Sequence, residues 1–259
     1  MTAEILIGDT LVQQAGSGPA LVFCHGFTTT GAFWREQLQP FGASHRVIAV
    51  NLPGHGRSPR PRQRPYTIDA FVADLEGVFD ALQLDGATLV GLSMGGTIAQ
   101  RFALRNPGRL RALCLVGATP HGLGPDVQAD QVASAIGRLG VERASQAVID
   151  RSFWPGADPQ LLDFARAEVA QTPDFVALQA IASLNAADSR EDLGRIQLPT
   201  LVVCGTEDRI TPPAQSHALA QGIAGARLVL IERAGHFPML EQPQAFNAAL
   251  RDFLPSSCE

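Results

Sequence analysis

Residues 87–105 have the sequence ATLVGLSMGGTIAQRFALR, which carries the clearest signal of the fold class. Its first four residues form a short apolar run that is typical of a buried strand, and its last nine residues predict a helix. Between them lies a G-x-S-x-G turn with Ser93 at its centre. Such a tight turn strains the backbone of its central residue, and the flanking glycines avoid a collision across the turn. Ser93 is therefore the candidate nucleophile.

Short apolar runs of the same kind recur on both sides of this turn. They lie at 21–23, 47–50, 87–90, 112–116, 200–203 and 228–231. Continuous runs of this length, bounded by glycine, proline or polar residues, are typical of strands that are buried on both faces. A helical pattern at 68–82 separates two of the runs. The alternation predicts an α/β fold with a mostly parallel sheet flanked by helices, and one or two further strands fit before residue 20.

The alternation of strands and helices is interrupted in the middle of the chain. Only helical patterns occur there, at 127–139, 141–153, 159–170 and 174–187, separated by turn residues such as Gly140. The strand pattern resumes at Leu198-Pro199. We therefore predict a core domain made of residues 1–119 and 197–259, with a helical cap inserted at 120–196.

A serine nucleophile needs a base within hydrogen-bond reach and a carboxylate that orients the base. Taken alone, the turn around Ser93 also fits a glycine-rich connection without catalytic function, so these partners are decisive. Of the six histidines, His236 directly follows a predicted strand, and Asp208 directly follows another. The carboxyl ends of parallel strands meet at one edge of a sheet, which predicts that both lie near Ser93. We expect only one of the neighbours Glu207 and Asp208 to reach the histidine, and we choose Asp208.

An early loop can supply hydrogen-bond donors for a developing negative charge. His25-Gly26-Phe27 follows the predicted strand at 21–23. Backbone N–H groups of this loop can join that of Met94, which opens the helix after Ser93, in binding an oxyanion. His25 is in addition a candidate substrate contact. We interpret residues 51–58, NLPGHGRS, as a structural turn.

The composition excludes several classes of function. Twenty basic and 25 acidic residues give a net charge of −5, and every basic residue is arginine. Without lysine the chain can form neither a pyridoxal Schiff base nor a Walker-type phosphate loop. The charge balance argues against a nucleic-acid or anionic membrane partner. No Cys/His cluster has metal-ligand spacing and no G-x-G-x-x-G opens a strand–helix unit, so we expect no metal and no cofactor.

The cysteines indicate the compartment. Three of the four, Cys24, Cys114 and Cys204, lie in apolar runs, which is typical of buried thiols in a reducing environment. The N-terminal residues lack the basic and apolar segments of a signal peptide, and no apolar run approaches the roughly 18 residues of a membrane span. We therefore expect a cytoplasmic protein without a membrane segment.

Five segments, taken together and in order, resemble the α/β-hydrolase family along nearly the whole chain. They are HGF at 25–27, LPGHGRS at 52–58, GLSMGG at 91–96, GTEDRITPP at 205–213 and AGHFPMLEQP at 234–243. The resemblance implies an α/β-hydrolase fold with Ser93 as nucleophile, His236 as base and Asp208 as its orienting acid. It also implies that the amides of Phe27 and Met94 form the oxyanion hole. Residues 187–213 are similar to 3-oxoadipate enol-lactonases and small carboxylesterases.

The resemblance favours hydrolysis of a small-molecule carboxylic ester or lactone through an acyl-enzyme. Two alternatives use the same triad: hydrolysis of a carbon–carbon bond in a β-diketone-like substrate, and cofactor-free haloperoxidase or perhydrolase activity. A ligand sensor that has lost turnover is the non-enzymatic alternative. In the predicted cap, Phe153 and Trp154 are candidate pocket walls, which favours small to medium neutral acyl groups. Arg151 beside them is the candidate partner for a substrate carboxylate, because the chain has no lysine.

Overall fold

The computed structural model describes residues 3–123 and 127–254 of the chain, and its centre is an eight-stranded sheet. The strands are β1 (Ala3–Ile7), β2 (Thr10–Ala15), β3 (Ala20–Cys24), β4 (Arg46–Asn51), β5 (Ala87–Leu92), β6 (Leu110–Val116), β7 (Thr200–Gly205) and β8 (Arg227–Ile231). Their order in the sheet is β1-β2-β4-β3-β5-β6-β7-β8. β2 pairs antiparallel with β1 and β4, and all other neighbours pair parallel. The predicted mostly parallel sheet is confirmed.

All six apolar runs coincide with strands β3 to β8. The central strands β3 to β7 are buried along nearly their whole length, because helices cover both faces of the sheet there. The N-terminal residues form two strands, a hairpin whose turn contains Gly8 at φ 56°. β1 is largely exposed because it lies at the edge of the sheet.

Helices pack on the two faces of the sheet and bury two apolar clusters there. They are α1 (Arg35–Gly42), α2 (Ile68–Ala81), α3 (Met94–Arg105), α7 (Pro213–Gly222), α8 (Pro238–Glu241) and α9 (Pro243–Phe253). α2, α3 and α7 contribute to one cluster, in which the rings of Phe79 and Phe102 lie 4.5 Å apart. α1, α8 and α9 contribute to the other, where Trp34 packs against Phe246. Both faces of β5 are thus covered, and the turn that contains Ser93 follows its carboxyl end.

Three further helices lie between β6 and β7 in the chain: α4 (Ala129–Ser152), α5 (Pro159–Val169) and α6 (Asp174–Asn185). We call α4, α5 and α6 the helical insertion. Gly140, at φ 76°, interrupts α4 at the position where the sequence predicts a boundary between two helices. The Asp174 carboxylate accepts a hydrogen bond from the amide of Val141, which starts the second half of α4. Within residues 3–123 and 127–254, no helix has the length and apolar character needed to cross a bilayer.

Candidate active site

Ser93 occupies a strained turn between β5 and α3. Its backbone has φ 52° and ψ −115°, in a region that residues with a side chain rarely adopt. A Cβ atom on Gly91 would lie 2.3 Å from the carbonyl oxygen of Gly95, and one on Gly95 would lie 2.5 Å from that of His25. Only glycine fits at either position, which is the physical reason for the G-x-S-x-G spacing. The turn projects the Ser93 side chain beyond the end of the strand, where it remains partly exposed.

Two backbone amides beside Ser93 are without an acceptor in the described part of the chain. Within the described residues, the amides of Phe27 and Met94 donate no hydrogen bond to another part of the chain, and both residues line the same cavity as Ser93. Met94 is the first residue of α3, so its N–H belongs to the positive end of the helix dipole. The Phe27 loop is held by Thr29, whose hydroxyl oxygen accepts from the Gly26 amide at 2.8 Å. This arrangement can stabilise an oxyanion.

His236 and Asp208 form a buried pair at the carboxyl ends of β8 and β7. His236 Nδ1 lies 2.8 Å from Asp208 Oδ2, and both residues are at most 4% exposed. The carboxylate is an acceptor, so the proton of a neutral imidazole resides on Nδ1 and the lone pair on Nε2. Within the described residues the ring makes its hydrogen bonds through Nδ1 alone, and His236 lines the cavity with Ser93. Nε2 is therefore available to accept a proton there.

Four polar groups surround the Asp208 carboxylate, and two of them belong to Thr211, a residue that is not among the predicted site residues. Oδ1 accepts from the amides of Ile210 and Thr211, both at 2.9 Å. The Thr211 hydroxyl lies 2.8 Å from Oδ2 and 3.2 Å from His236 Nδ1. The D-x-x-T spacing is a signal for such a turn, because a short acidic side chain accepts from amides two and three residues later. Glu207 is exposed, which leaves Asp208 as the acid that reaches the histidine.

A cavity of about 290 Å³ lies over Ser93, between the sheet and the helical insertion. Insertion residues such as Val132, Ile149 and Ile181 make its wall largely apolar. Among the described residues that line it, Arg151 is the one side chain with a permanent charge. Its guanidinium lies 3.5 Å from the carbonyl oxygen of Arg209, and no described carboxylate lies within 4 Å of it. The cavity thus offers an apolar volume with one cation at its wall.

A family model described as "alpha/beta hydrolase fold" matches residues 19–243. The chain belongs to the α/β-hydrolase family. It is 33% identical over 236 residues to 3-oxoadipate enol-lactonase 2 of Acinetobacter baylyi, covering 90% of this chain and 87% of the relative. It is 30% identical to 2-hydroxy-6-oxo-2,4-heptadienoate hydrolase of Pseudomonas putida, and the match covers 95% of this chain and 92% of the relative.

Solved structures agree with this family assignment. The structure described as Est816, an N-acyl homoserine lactone degrading enzyme, has a TM-score of 0.86 and 31% identity, covering 97% of this chain and all of the other. The enol-lactonase of Burkholderia xenovorans LB400 has a TM-score of 0.88 and 29% identity, and the match covers 97% of this chain and 99% of the other. The chain is a hydrolase of the α/β-hydrolase family.

The structure of this α/β-hydrolase does not bring three of the predicted substrate contacts to the cavity. His25 is fully buried, and its ring is held by two hydrogen bonds: Nε2 accepts from the Leu52 amide at 3.0 Å, and Nδ1–H donates to Gly26 O at 2.9 Å. Phe153 is buried against the ring of Phe237. The Trp154 ring lies over Gly156, so it too is absent from the cavity wall. Of the four candidates only Arg151 lines the cavity; sequence spacing shows that residues are near a site but not where they point.

Burial controls the electrostatics of the groups around the site. Burial lowers the pKa of His55 to about 4, and it lowers the pKa of His25 well below the usual range, so both are neutral near pH 7. Burial raises the pKa of Cys24 and Cys204 to about 12, so both thiols stay protonated near pH 7. Within the described residues, no three His, Cys, Asp or Glu side chains are grouped to hold a metal ion. Cys258 lies outside the described residues.

Proposed function

We propose that this protein is a serine hydrolase that cleaves carboxylic esters or lactones of small molecules through an acyl-enzyme. Ser93 is the nucleophile, His236 the general base and Asp208 the residue that orients it. One observation carries the proposal: the buried 2.8 Å contact fixes the His236 ring through Nδ1, and the same cavity is lined by His236 and by the strained Ser93. A serine hydroxyl needs such an oriented imidazole as its base near neutral pH.

In the proposed acylation step, His236 Nε2 takes the Ser93 proton as Oγ attacks the substrate carbonyl. The carbonyl oxygen becomes an oxyanion and receives hydrogen bonds from the amides of Phe27 and Met94. Collapse of this intermediate expels the alcohol, which takes the proton from the imidazolium. In the second half of the cycle His236 removes a proton from water, the hydroxide attacks the acyl-enzyme, and the carboxylic acid leaves while Ser93 regains its proton.

The cavity supports a small to medium acyl group. Its volume of about 290 Å³ lies near the lower end of the roughly 300–1,000 Å³ typical of small-molecule sites. The wall is mainly apolar, and burial of an uncharged acyl chain there is favourable at about 25 cal/mol per Å² of apolar surface. Helices α4 and α6 contribute much of that wall, so we assign residues 120–196 the role of a cap over the pocket.

A second candidate is a lactone that carries a free carboxylate. Arg151 supports it, because this residue lines the cavity and its guanidinium has no described carboxylate within 4 Å. The similarity to a 3-oxoadipate enol-lactonase points the same way. Carbon–carbon bond hydrolysis is an alternative favoured by the similarity to the Pseudomonas putida hydrolase, with the same residues acting on a carbonyl.

The test combines a probe with a substrate panel. A fluorophosphonate should label the wild type at Ser93, and Ser93→Ala should lose both the label and a factor of roughly 10³ to 10⁶ in kcat. Ser44→Ala is the matched control, since that serine is exposed and lies outside the cavity. Rates on p-nitrophenyl esters of graded acyl length, on lactones and on a β-diketone then identify the substrate class. Normal turnover by Ser93→Ala would refute the proposal.

A further inference from the structure

Glu241 is a partly buried carboxylate for which the proposed mechanism has no role. It lies at the end of the short helix α8, five residues after His236, and it does not line the cavity. Its carboxylate accepts three backbone hydrogen bonds: Oε1 from Gly235 at 2.9 Å and Phe237 at 3.2 Å, and Oε2 from Trp154 at 2.7 Å. Burial raises the pKa of Glu241, and the three amides and His236 oppose that shift. Because charged acceptors make the stronger hydrogen bonds, this carboxylate can hold the three backbone segments that donate to it in place.

Two of the amides that Glu241 binds belong to the residues directly before and after His236, the proposed base. Gly235 and Phe237 flank His236, and the amide of His236 donates to the carbonyl oxygen of Ser152 at 2.6 Å. All three consecutive amides of residues 235–237 are therefore engaged. A Cβ atom on Gly235 would lie 2.3 Å from Ser152 O, so only glycine permits this close approach.

The same carboxylate joins two separate parts of the fold. Its Oε1 holds the loop after β8, and its Oε2 holds Trp154, just beyond the end of α4 in the helical insertion. The Phe153 ring packs on Phe237 beside this link, at 5.1 Å between centroids. Movement of the insertion relative to the histidine loop would break charge-assisted hydrogen bonds in a partly buried place, which is unfavourable.

We propose that Glu241 is a positioning residue, which sets the backbone of the histidine loop against the helical insertion so that the His236 ring stands between Asp208 and Ser93. The inference rests on the proposed function, because it assigns Glu241 an effect on the rate at which Ser93 reacts. Displacement of a catalytic group by about 1 Å can cost roughly 10²-fold in rate, which sets the scale of the expected effect.

The acceptor geometry distinguishes a carboxylate from an amide at this position. The Glu241→Gln side chain has one acceptor oxygen, whereas the wild-type carboxylate has an acceptor at both Oε1 and Oε2. With that oxygen at the Oε1 position, the new NH₂ group faces the Trp154 N–H; in the opposite orientation it faces the Gly235 and Phe237 amides. Two donors then face each other in either case. The variant therefore keeps the side-chain shape while losing part of these hydrogen bonds, and Glu241→Ala loses all of them.

The experiment compares Glu241→Gln and Glu241→Ala with Glu232→Gln, which removes an exposed carboxylate from the same loop. The readouts are kcat and KM on the best ester and the rate of fluorophosphonate labelling at Ser93, each normalised to the active fraction found by titration. We expect kcat and the labelling rate to fall roughly tenfold for Glu241→Gln and 10²-fold for Glu241→Ala. KM should stay within about twofold because Glu241 is outside the cavity, and Glu232→Gln should behave as wild type.

Several outcomes would overturn the inference. One is a normal labelling rate of the folded fraction of either variant, even with a lowered melting temperature, since Glu241 would then serve stability alone. A loss confined to KM would equally contradict it. If Glu241→Ala does not fold, the isosteric Glu241→Gln decides by the same readouts. Failure of the proposed function is distinguishable, because the wild type would then escape labelling at Ser93.

Discussion

Replacement of Asp208 by asparagine tests how the His236 ring is held. In the wild type Oδ1 accepts from the amides of Ile210 and Thr211, and Oδ2 faces His236 Nδ1 at 2.8 Å. The asparagine of the Asp208→Asn variant would have one oxygen and one NH₂ group in these two places. The orientation that keeps both backbone amides paired puts the oxygen at Oδ1 and turns the NH₂ group towards His236. Nδ1 must then act as an acceptor, and its proton moves to Nε2.

The expected magnitude follows from this change of tautomer. An imidazole with its proton on Nε2 cannot accept the Ser93 proton, and loss of the correct tautomer in a serine triad costs roughly 10⁴ in kcat. That factor corresponds to about 5 kcal/mol of transition-state stabilisation. In the opposite orientation the amides of Ile210 and Thr211 would face the NH₂ group and lose their acceptor. Each unsatisfied group costs about 1–3 kcal/mol, so this orientation would be little populated.

The assay is steady-state hydrolysis of the best p-nitrophenyl ester, with Glu207→Gln as the matched control. Glu207 is the adjacent carboxylate and is exposed, so its neutralisation should change kcat by no more than about twofold. KM should change little for both variants. Equal damage from the two substitutions, or an Asp208→Asn variant with more than about a tenth of the wild-type kcat, would refute the assignment of Asp208.

Three further predictions concern acid stability, substrate charge and metals. The free energy of unfolding should fall as the pH drops below about 6.5, because an unfolded histidine binds a proton there while the buried His55, with a pKa of about 4, does not. His55 accounts for a decrease of about 3 kcal/mol in the free energy of unfolding near pH 4, which urea unfolding at a series of pH values measures. His55→Asn should make the free energy of unfolding less dependent on pH in this range. Arg151→Ala should leave p-nitrophenyl butyrate turnover within about twofold, whereas a raised KM for a carboxylate-bearing lactone alone would identify that lactone class as the substrate. Activity should survive exhaustive dialysis against EDTA, and restoration by one specific metal afterwards would contradict this expectation.

Much of the fold is predictable from local sequence. Five of the six apolar runs form strands β3 to β7, which helices cover on both faces, so their residues must be apolar throughout and leave a clear local pattern. The sixth run forms β8, which lies at the edge of the sheet and is more exposed than expected. The tight turn at Ser93 is predictable for a similar reason, since backbone atoms collide unless Gly91 and Gly95 lack side chains. The sequence also orders the candidate acid and base at the ends of β7 and β8.

Side-chain direction is what local sequence did not determine. Phe153 and Trp154 lie at the end of α4, near the predicted helix end at 153, yet neither lines the cavity, because one packs on Phe237 and the other lies over Gly156. His25 lies next to the Phe27 loop but turns inward to the Leu52 amide.

Local sequence was enough to predict the order of strands β3 to β8, the helices at 68–82 and 97–105, the glycine-framed turn and the short set of residues that could act there. Contacts between distant parts of the chain set which residues meet: Asp208 rather than Glu207 beside His236, Arg151 alone of the four candidates at the cavity wall, and Glu241 between the histidine loop and Trp154. A strand or a tight turn is fixed by interactions between residues a few positions apart, whereas a side chain takes its direction from partners far away in the chain, as Glu241 does from an amide 87 residues earlier.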